Sequence, residues 1–331
     1  MLVSIIIPTY NGAKRIGKCL TALSQQYYQG EFEIIVVDDG STDDTQEEII
    51  KNYPQISLIQ QKNAGPAAAR NHGAQVAKGE ILLMTDDDCV PMPDWISQMV
   101  QPFLDDFELV GIKGVYRTHQ RELTARFVQL EYEDKYDVMA KYTNIDFIDT
   151  YSAGYRRDIF LKYDGFDTTF PVACTEDQEL SFRLGRDGHK MKFIPQAIVY
   201  HTHPNSVLSY IKKKYKFAFW KMLALKKNPE KLTGDTHTPQ TMKVQLLLGP
   251  SLLGTLAAGL FSPLALTACC CLALLFFVTT IPFAIKSFRK DTWLAPLTPF
   301  FLLIRSLPQF VGVVAGTVWV ARAKPSRFPK P

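Results

Sequence analysis

Several common signals are missing from this 331-residue chain, and each gap excludes something. Its six cysteines show no CxxC or other zinc spacing, and Cys269-Cys270-Cys271 sit inside an apolar run. Reduced thiols fit that pattern better than a disulfide framework. No GxGxxG follows any strand-like segment, which argues against a dinucleotide cofactor. The N-terminus, MLVSIIIPTYNG, lacks a basic region, and its apolar run is too short for a signal peptide. It reads as a first strand, leaving the first half of the chain in the cytoplasm. A formal net charge of +4 is too small to imply nucleic-acid binding. Charge is also missing locally: none occurs from Val244 to Ile285, although charged residues recur every few positions before residue 240. A chain divided in this way is built for two solvents, water and lipid.

In the water-facing half, apolar runs recur at Leu2–Ile7, Glu33–Val37, Ile56–Ile59 and Ile81–Met84. Between them, Ala13–Gln25, Asp43–Lys51 and Ala67–Val76 carry apolar residues at helical spacing. Strands alternating with helices of this length imply βαβ units and a largely parallel sheet, and continuous apolar strands fit a sheet covered on both faces. Gly40 is expected to turn the chain after the second strand, with Ser41 or Thr42 capping the next helix. Pro8-Thr9-Tyr10-Asn11-Gly12 does a similar job after the first. Farther on, Leu123–Met139 reads as a helix and Asp149–Arg157 as a strand or loop. Thr175–Arg186 reads as a helix with acidic residues at its positive end, and Met191–Ile194 and Ala197–Thr202 as two short closing strands.

Three acidic clusters stand out: Asp38-Asp39, Asp86-Asp87-Asp88 and Glu176-Asp177. The first two each follow a buried-strand pattern, where ligands of open α/β sheets bind. Asp86 and Asp88 suit a diphosphate with a hard cation such as Mg²⁺ or Mn²⁺. The plainer reading is a solvated turn before the helix near Pro93. Likewise, Asp-Asp-Gly-Ser is ordinary turn chemistry, and Glu176-Asp177 alone is an ordinary helix start. All three clusters together, beside an apolar anchor, favour function.

The ordered set SIIIPTYNG (4–12), VVDDGSTDDT (36–45), NAGPAAARNHG (63–73), MTDDDCVP (84–91), SAGYRRDIF (152–160) and TEDQELSFRLGRDG (175–188) resembles the family 2 glycosyltransferases. That resemblance implies a GT-A fold, Rossmann-like with a largely parallel central sheet. It also implies an inverting enzyme that uses a nucleotide-diphosphate sugar and Mg²⁺ or Mn²⁺. By position, Pro8, Tyr10, Asp38 and Asp39 would line the nucleoside pocket, and Lys62 and Arg70 would approach the base or diphosphate. Asp86 and Asp88 match the family's D-x-D element, with Asp88 the direct metal ligand, and Asp177 matches its catalytic base. Tyr151–Arg157 resembles the acceptor-side loop, where the small Ala153 and Gly154 would admit a hydroxyl; Glu176 joins that side. His201, two residues before His203, would close the site on the metal or diphosphate; the alternative is a polar surface strand. The Q/R-x-x-R-W element of processive synthases is absent after Asp177, so transfer of a single sugar is expected.

Beyond the catalytic domain (1–204), residues 205–243 mix Lys212–Lys214, Lys216 and Lys221 with Tyr210, Tyr215, Phe217, Phe219 and Trp220, a composition for the headgroup layer. Residues 244–331 form a membrane domain: a hairpin over 244–285 turning at Ser262-Pro263, then an apolar segment over 294–320. Pro296, Pro299, Arg305 and Pro308 interrupt the last segment, which favours an interfacial course over a third span. Basic residues 286–290 and 322–330 place both ends on the cytoplasmic face. The expectation is a multi-pass enzyme of the cell membrane that moves one sugar, from UDP before GDP or dTDP, to a lipid-linked acceptor. The rivals are a membrane-bound nucleotide-sugar sensor or scaffold without turnover, and a metal-dependent nucleotidyl- or phosphotransferase.

Overall fold

A computed structural model describes residues 1–170, 174–232 and 234–322. The elements run β1 (Val3–Thr9), α1 (Ile16–Ser24), β2 (Phe32–Asp38), α2 (Thr45–Asn52), β3 (Ser57–Gln60), α3 (Pro66–Val76), β4 (Ile81–Met84), β5 (Val90–Pro91), α4 (Trp95–Asp105), β6 (Leu109–Arg117), α5 (Leu123–Met139), β7 (Ala153–Arg156), α6 (Arg157–Lys162), α7 (Glu176–Arg186) and β8 (Lys190–Tyr200). Four further helices follow: α8 (Val207–Lys227), α9 (Gln240–Gly259), α10 (Pro263–Lys290) and α11 (Thr298–Arg322).

The strands form one sheet in the order β3-β2-β1-β4-β7-β6-β8-β5. The β3-β2-β1-β4 portion is parallel, and β7 enters antiparallel between β4 and β6. Both faces are covered, as continuous apolar strands require. Val3, Ile5 and Ile7 pack with Ile16 and Leu20 of α1 and Trp95 and Met99 of α4. Ile6, Val37 and Met84 face Ala67 and Ala74 of α3 and Leu180 and Leu184 of α7.

Two local expectations change. Neither Ser41 nor Thr42 caps α2, which starts at Thr45 after Asp44. Ser41 Oγ instead accepts the Asn11 N–H (2.9 Å), and the Thr42 N–H donates to Asn11 Oδ1 (2.8 Å), so the loops after β1 and β2 are sewn together. The two closing strands are one strand, β8, whose register against β6 shifts between Lys113 and Val115. Pro195 falls inside that irregularity, where no ladder donor is needed.

Beyond the sheet, α9 and α10 pack against each other as a helical hairpin, with Ser262 at the N-cap of α10. Stretches 263–290 and 295–322 are each long and apolar enough to cross a bilayer. The second is clamped to other parts of the protein. Buried Arg305 donates to Glu131 Oε1 on α5 (3.0 Å) and to Gln245 Oε1 on α9 (2.5 Å). Lys214 (2.8 Å) and Tyr210 (3.1 Å), both on α8, complete the shell of Glu131. From there α11 runs alongside α8 in the same direction: Gly312 meets Tyr215 and Ala218, Gly316 meets Phe219, and Val320 packs on Leu223 and Ala224. At its far end α8 is tied to the sheet domain by Lys227 and Asp167. Helix α8 is therefore held at both ends, and α11 follows it across the domain surface.

Small residues make this contact possible. A Cβ at Gly316 would lie 2.4 Å from the Phe219 carbonyl oxygen, a backbone atom with nowhere to go. Gly316→Val is accordingly expected to destabilise the protein by about 1–3 kcal/mol, read as a lowered thermal midpoint in detergent.

Candidate functional site

Strands β1 and β4 are neighbours, and the chain leaving β1 runs to β2 on one side while the chain leaving β4 runs to β5 on the other, which opens a crevice at their C-terminal ends. Pro8 is buried at the end of β1, Tyr10 is exposed above it, and Lys62 is exposed on the loop after β3. Asp38 is fully buried and accepts the Ser41 N–H (3.0 Å) and Gln46 Nε2 (2.6 Å). Asp39 accepts the N–H groups of Ala64 (2.9 Å) and Gly65 (2.8 Å) and Gln61 Nε2 (2.7 Å). The pair thus shapes the crevice wall, with Asp39 pulling loop 61–65 inward. Gly40, at φ 78°, lets that loop approach: a Cβ there would stand 2.9 Å from the Asn63 nitrogen.

After β4 the three aspartates divide. Asp87 points inward, accepting Thr9 Oγ1 (2.6 Å) and Arg15 Nε (2.8 Å); burial nevertheless raises its pKa. Asp86 accepts Arg70 Nη2 at 2.6 Å. Asp88 lies 3.3 Å from His201 Nε2, and although burial opposes its charge, the His201 hydrogen bond and charge hold it below the usual carboxylate range. His201 is also stacked on Tyr116, which fixes its ring plane. His203 is bonded to Gln129 and stacked on Tyr132, its ring centre 5.5 Å from that of His201.

The carboxylates of Asp86 and Asp88 and the Cys89 sulfur lie within 4.8 Å of one another. Burial pushes the Cys89 thiol well up, which disfavours the thiolate a metal would need. That leaves two carboxylates, a set for a hard divalent cation completed by phosphate oxygens. Arg70 supports the same chemistry. It is almost fully buried, and its Nη1 lies 3.7 Å from Glu176 Oε1. Its Nε and Nη1 make no hydrogen bond, a strong pull for an anion. These residues fit both a divalent metal and a diphosphate.

Asp177, in the first turn of α7, borders the same cavity. Burial first, then the neighbouring Glu176 charge, pushes its pKa up to about 7, against the pull of the Gln178 N–H and Arg70. Glu176, expected toward an acceptor, instead faces Arg70 and accepts the Cys174 N–H (2.8 Å). Ala153 and Gly154 require a correction. Both lie inside β7, paired with Met84 and Leu83, and Ala153 has no exposed surface. A Cβ on Gly154 would sit 2.8 Å from Ile112 and 3.1 Å from Leu83, so its smallness serves sheet packing rather than a ligand.

A cavity of about 960 Å³ joins these groups to the outer helices. Its lining includes Arg70, Asp86, Asp177 and His201 of the site together with Leu246 of α9 and Val313 and Thr317 of α11. Sequence patterns missed several partners in and beside this site. Nothing in the strand pattern marks Arg15 as the partner of Asp87. Glu131 looks like one more polar residue of α5, although Arg305 in an apolar stretch signals that some carboxylate must meet it.

Residues 4–164 match the family model described as glycosyl transferase family 2. Glycosyltransferase AglE of Haloferax volcanii is 42% identical over 103 residues, covering 30% of this chain and 34% of the relative. The probable glycosyltransferase YdaM of Bacillus subtilis is 29% identical over 219 residues, 62% of this chain and 51% of the relative. The chain thus spans a third to a half of the length of these relatives. Mannosyltransferase PcManGT from Pyrobaculum calidifontis, in complex with GDP-Man and Mn²⁺, superposes with a TM-score of 0.61 at 21% identity, covering 96% of this chain and 87% of that one. S. aureus TarS 1-349 gives 0.51 at 19% identity, with 98% and 92% covered. At those identities the likeness is one of fold.

Proposed function

Since residues 4–164 belong to the family 2 glycosyl transferases and fold in the GT-A manner, we propose that the chain transfers one sugar from a nucleotide-diphosphate sugar to a hydroxyl of a membrane-associated acceptor. One observation carries this reading: buried Arg70, two of whose nitrogen atoms make no hydrogen bond, stands between Asp86 and Glu176 on the cavity that also holds Asp177. Phosphate-binding charge, a metal-binding carboxylate and a base with an elevated pKa then border one cavity.

The acceptor hydroxyl gives its proton to Asp177 as its oxygen bonds to the anomeric carbon. The bond from that carbon to the β-phosphate oxygen breaks, and the nucleoside diphosphate carries the electron pair away. Arg70 faces the charge that develops on the leaving group, where a buried, already oriented cation is most effective. A divalent cation held by Asp86 and Asp88 supplies further Lewis-acid charge when bound. One base and one displacement invert the anomeric centre.

Lipid as the acceptor's home is supported by the cavity's outer wall, which is built from α9 and α11. In this reading the α9–α10 hairpin enters the bilayer, and α8 and α11 lie at its surface. Lys286, paired with Asp134 and Asp137, and Lys290, paired with Glu133, hold the base of α10 to α5. By the positive-inside rule these lysines support a catalytic domain on the cytoplasmic face.

The test is a thermal-shift panel on detergent-purified full-length protein with UDP, GDP, CDP, dTDP and ADP, each with and without Mn²⁺. UDP with Mn²⁺ is the expected stabiliser. GDP is the main competitor, given the ligand held by the Pyrobaculum neighbour. A folded protein that responds to none of them would overturn the reading. Turnover of the stabilising nucleotide's sugar conjugate separates an enzyme from a sensor or scaffold.

A further inference from the structure

The chain between α8 and α9 is fastened to the catalytic domain as a strap, described over residues 234–239. Asp146 accepts the Thr236 N–H (2.9 Å), Thr236 Oγ1 (2.6 Å) and Lys231 Nζ (2.6 Å). Inside the strap, Asp235 accepts the Thr238 N–H (2.6 Å) and Oγ1 (2.7 Å). His237 is buried, its ring stacked on Phe147 with centres 4.1 Å apart, and its Nε2 accepts Gln178 Nε2 at 2.9 Å. Gln178 is the residue after Asp177, and its N–H donates to Asp177 Oδ1 (2.7 Å). A second path reaches the same turn. Ser181 Oγ donates to the Asp177 carbonyl oxygen (2.7 Å) and accepts the N–H of Ile148 (2.9 Å), the residue after Phe147. The first turn of α7, residues 146–148 and the strap therefore form a closed ring of contacts.

An amide NH₂ can only donate, so His237 Nε2 is bare and the ring's proton sits on Nδ1. That nitrogen stands 3.4 Å from Asp235 Oδ1 and 4.0 Å from Asp146 Oδ1 without a hydrogen bond to either. Burial pushes the ring down to about 4 against the pull of Asp235 and Asp146, and Lys221 and Lys135 add to the downward push. His237 is thus a neutral acceptor for Gln178 at neutral pH. Asp235, His237 and Thr238 of the strap border the same cavity as Asp177 and Gln178. Building on the glycosyl-transfer reading, we infer that His237 is a positioning residue for the base: it holds Gln178, fixes the first turn of α7, and lets the strap limit water's access to Asp177. The base is then set by a segment outside the α/β sheet domain, on the link to the α9–α10 hairpin.

The test uses full-length protein in detergent and needs no acceptor. Asp177→Asn is expected to raise the thermal midpoint at pH 8, because burial makes the Asp177 charge costly. In a His237→Ala background that gain should fall to about half or less, since water then reaches the carboxylate. The other charges that face Asp177, from Glu176 on its own helix, Arg70 of α3 and Lys113 of β6, are the same in every variant. His237→Gln, whose amide oxygen can accept from Gln178, should restore the gain, and Gln178→Ala should reproduce its loss. Should His237→Ala fail to fold, Gln178→Ala carries the test, because it leaves the Asp146 contacts with the strap in place. A lowered midpoint with the gain intact would make His237 a merely structural residue and overturn the inference, as would a gain that His237→Gln does not restore. In turnover, the kcat/KM limb of His237→Ala should lie roughly one pH unit below that of the wild type; an unmoved limb also overturns it. The nucleotide–Mn²⁺ thermal shift should persist in His237→Ala. If the gain is unchanged while that shift is present, this inference alone is wrong; if the wild type lacks the shift, the glycosyl-transfer reading is wrong.

Discussion

Asp177→Asn is expected to lower kcat by roughly 10²–10⁴-fold while preserving metal-dependent nucleotide binding. The amide keeps the size of the side chain but cannot take the acceptor's proton. Because Asp177 titrates at about 7, wild-type kcat/KM should climb with pH and level off above that value, as the base form fills. The variant's residual rate should lose that limb. Stability should move the other way. Below about pH 4 the group is neutral in both the folded and the unfolded chain. Between there and about pH 7 only the unfolded chain gives up the proton, so the wild type loses stability as pH rises. Asn carries no such penalty. The variant's thermal midpoint should exceed that of the wild type at pH 8 and match it near pH 4. A variant that is slow but keeps the wild-type pH profile would move the base elsewhere.

Asp88→Asn is expected to remove the Mn²⁺ dependence of nucleotide stabilisation and to cut turnover by about 10²–10³-fold or more. One of two hard ligands is lost, and a neutral amide oxygen is a much weaker partner for a divalent cation. Its neighbour is the control. Asp87→Asn should leave the metal response in place but lower stability, because its bonds go to Thr9 and Arg15 rather than into the cavity. If the two variants behave alike, the division of labour within Asp86-Asp87-Asp88 is wrong. A direct titration of Mn²⁺ into each variant, followed by thermal shift, distinguishes the outcomes.

Local pattern revealed a good part of this protein. The run Ile81–Met84 is a strand with those same ends, and Leu123–Met139 a helix with those same ends. Period and composition carry such information because they depend on neighbours a few residues away. The turn at Gly40 and the break at Ser262-Pro263 were legible for the same reason. Asp38-Asp39, Asp86–Asp88 and Glu176-Asp177 stood out because carboxylates at strand ends and a helix start need a reason to be there.

The role of smallness was not legible. Ala153 and Gly154 could have been a floor for a ligand or a seam in a sheet, and only the positions of Ile112 and Leu83 decide for the seam. Nor does any periodicity say that Ser41 holds Asn11 rather than capping a helix.

By itself, the sequence determined the alternating strands and helices, the order of the acidic loops and the boundary where charge stops. All of these follow from short-range sterics and from the separation of apolar from charged residues along the chain. Tertiary structure decided which distant groups meet: Arg70 with Asp86 and Glu176, Arg305 with Glu131, and α11 beside α8 instead of away from it. Those pairings depend on how helices pack across a sheet and against one another. A buried charge must find a partner, but the chain does not say where along its length that partner lies.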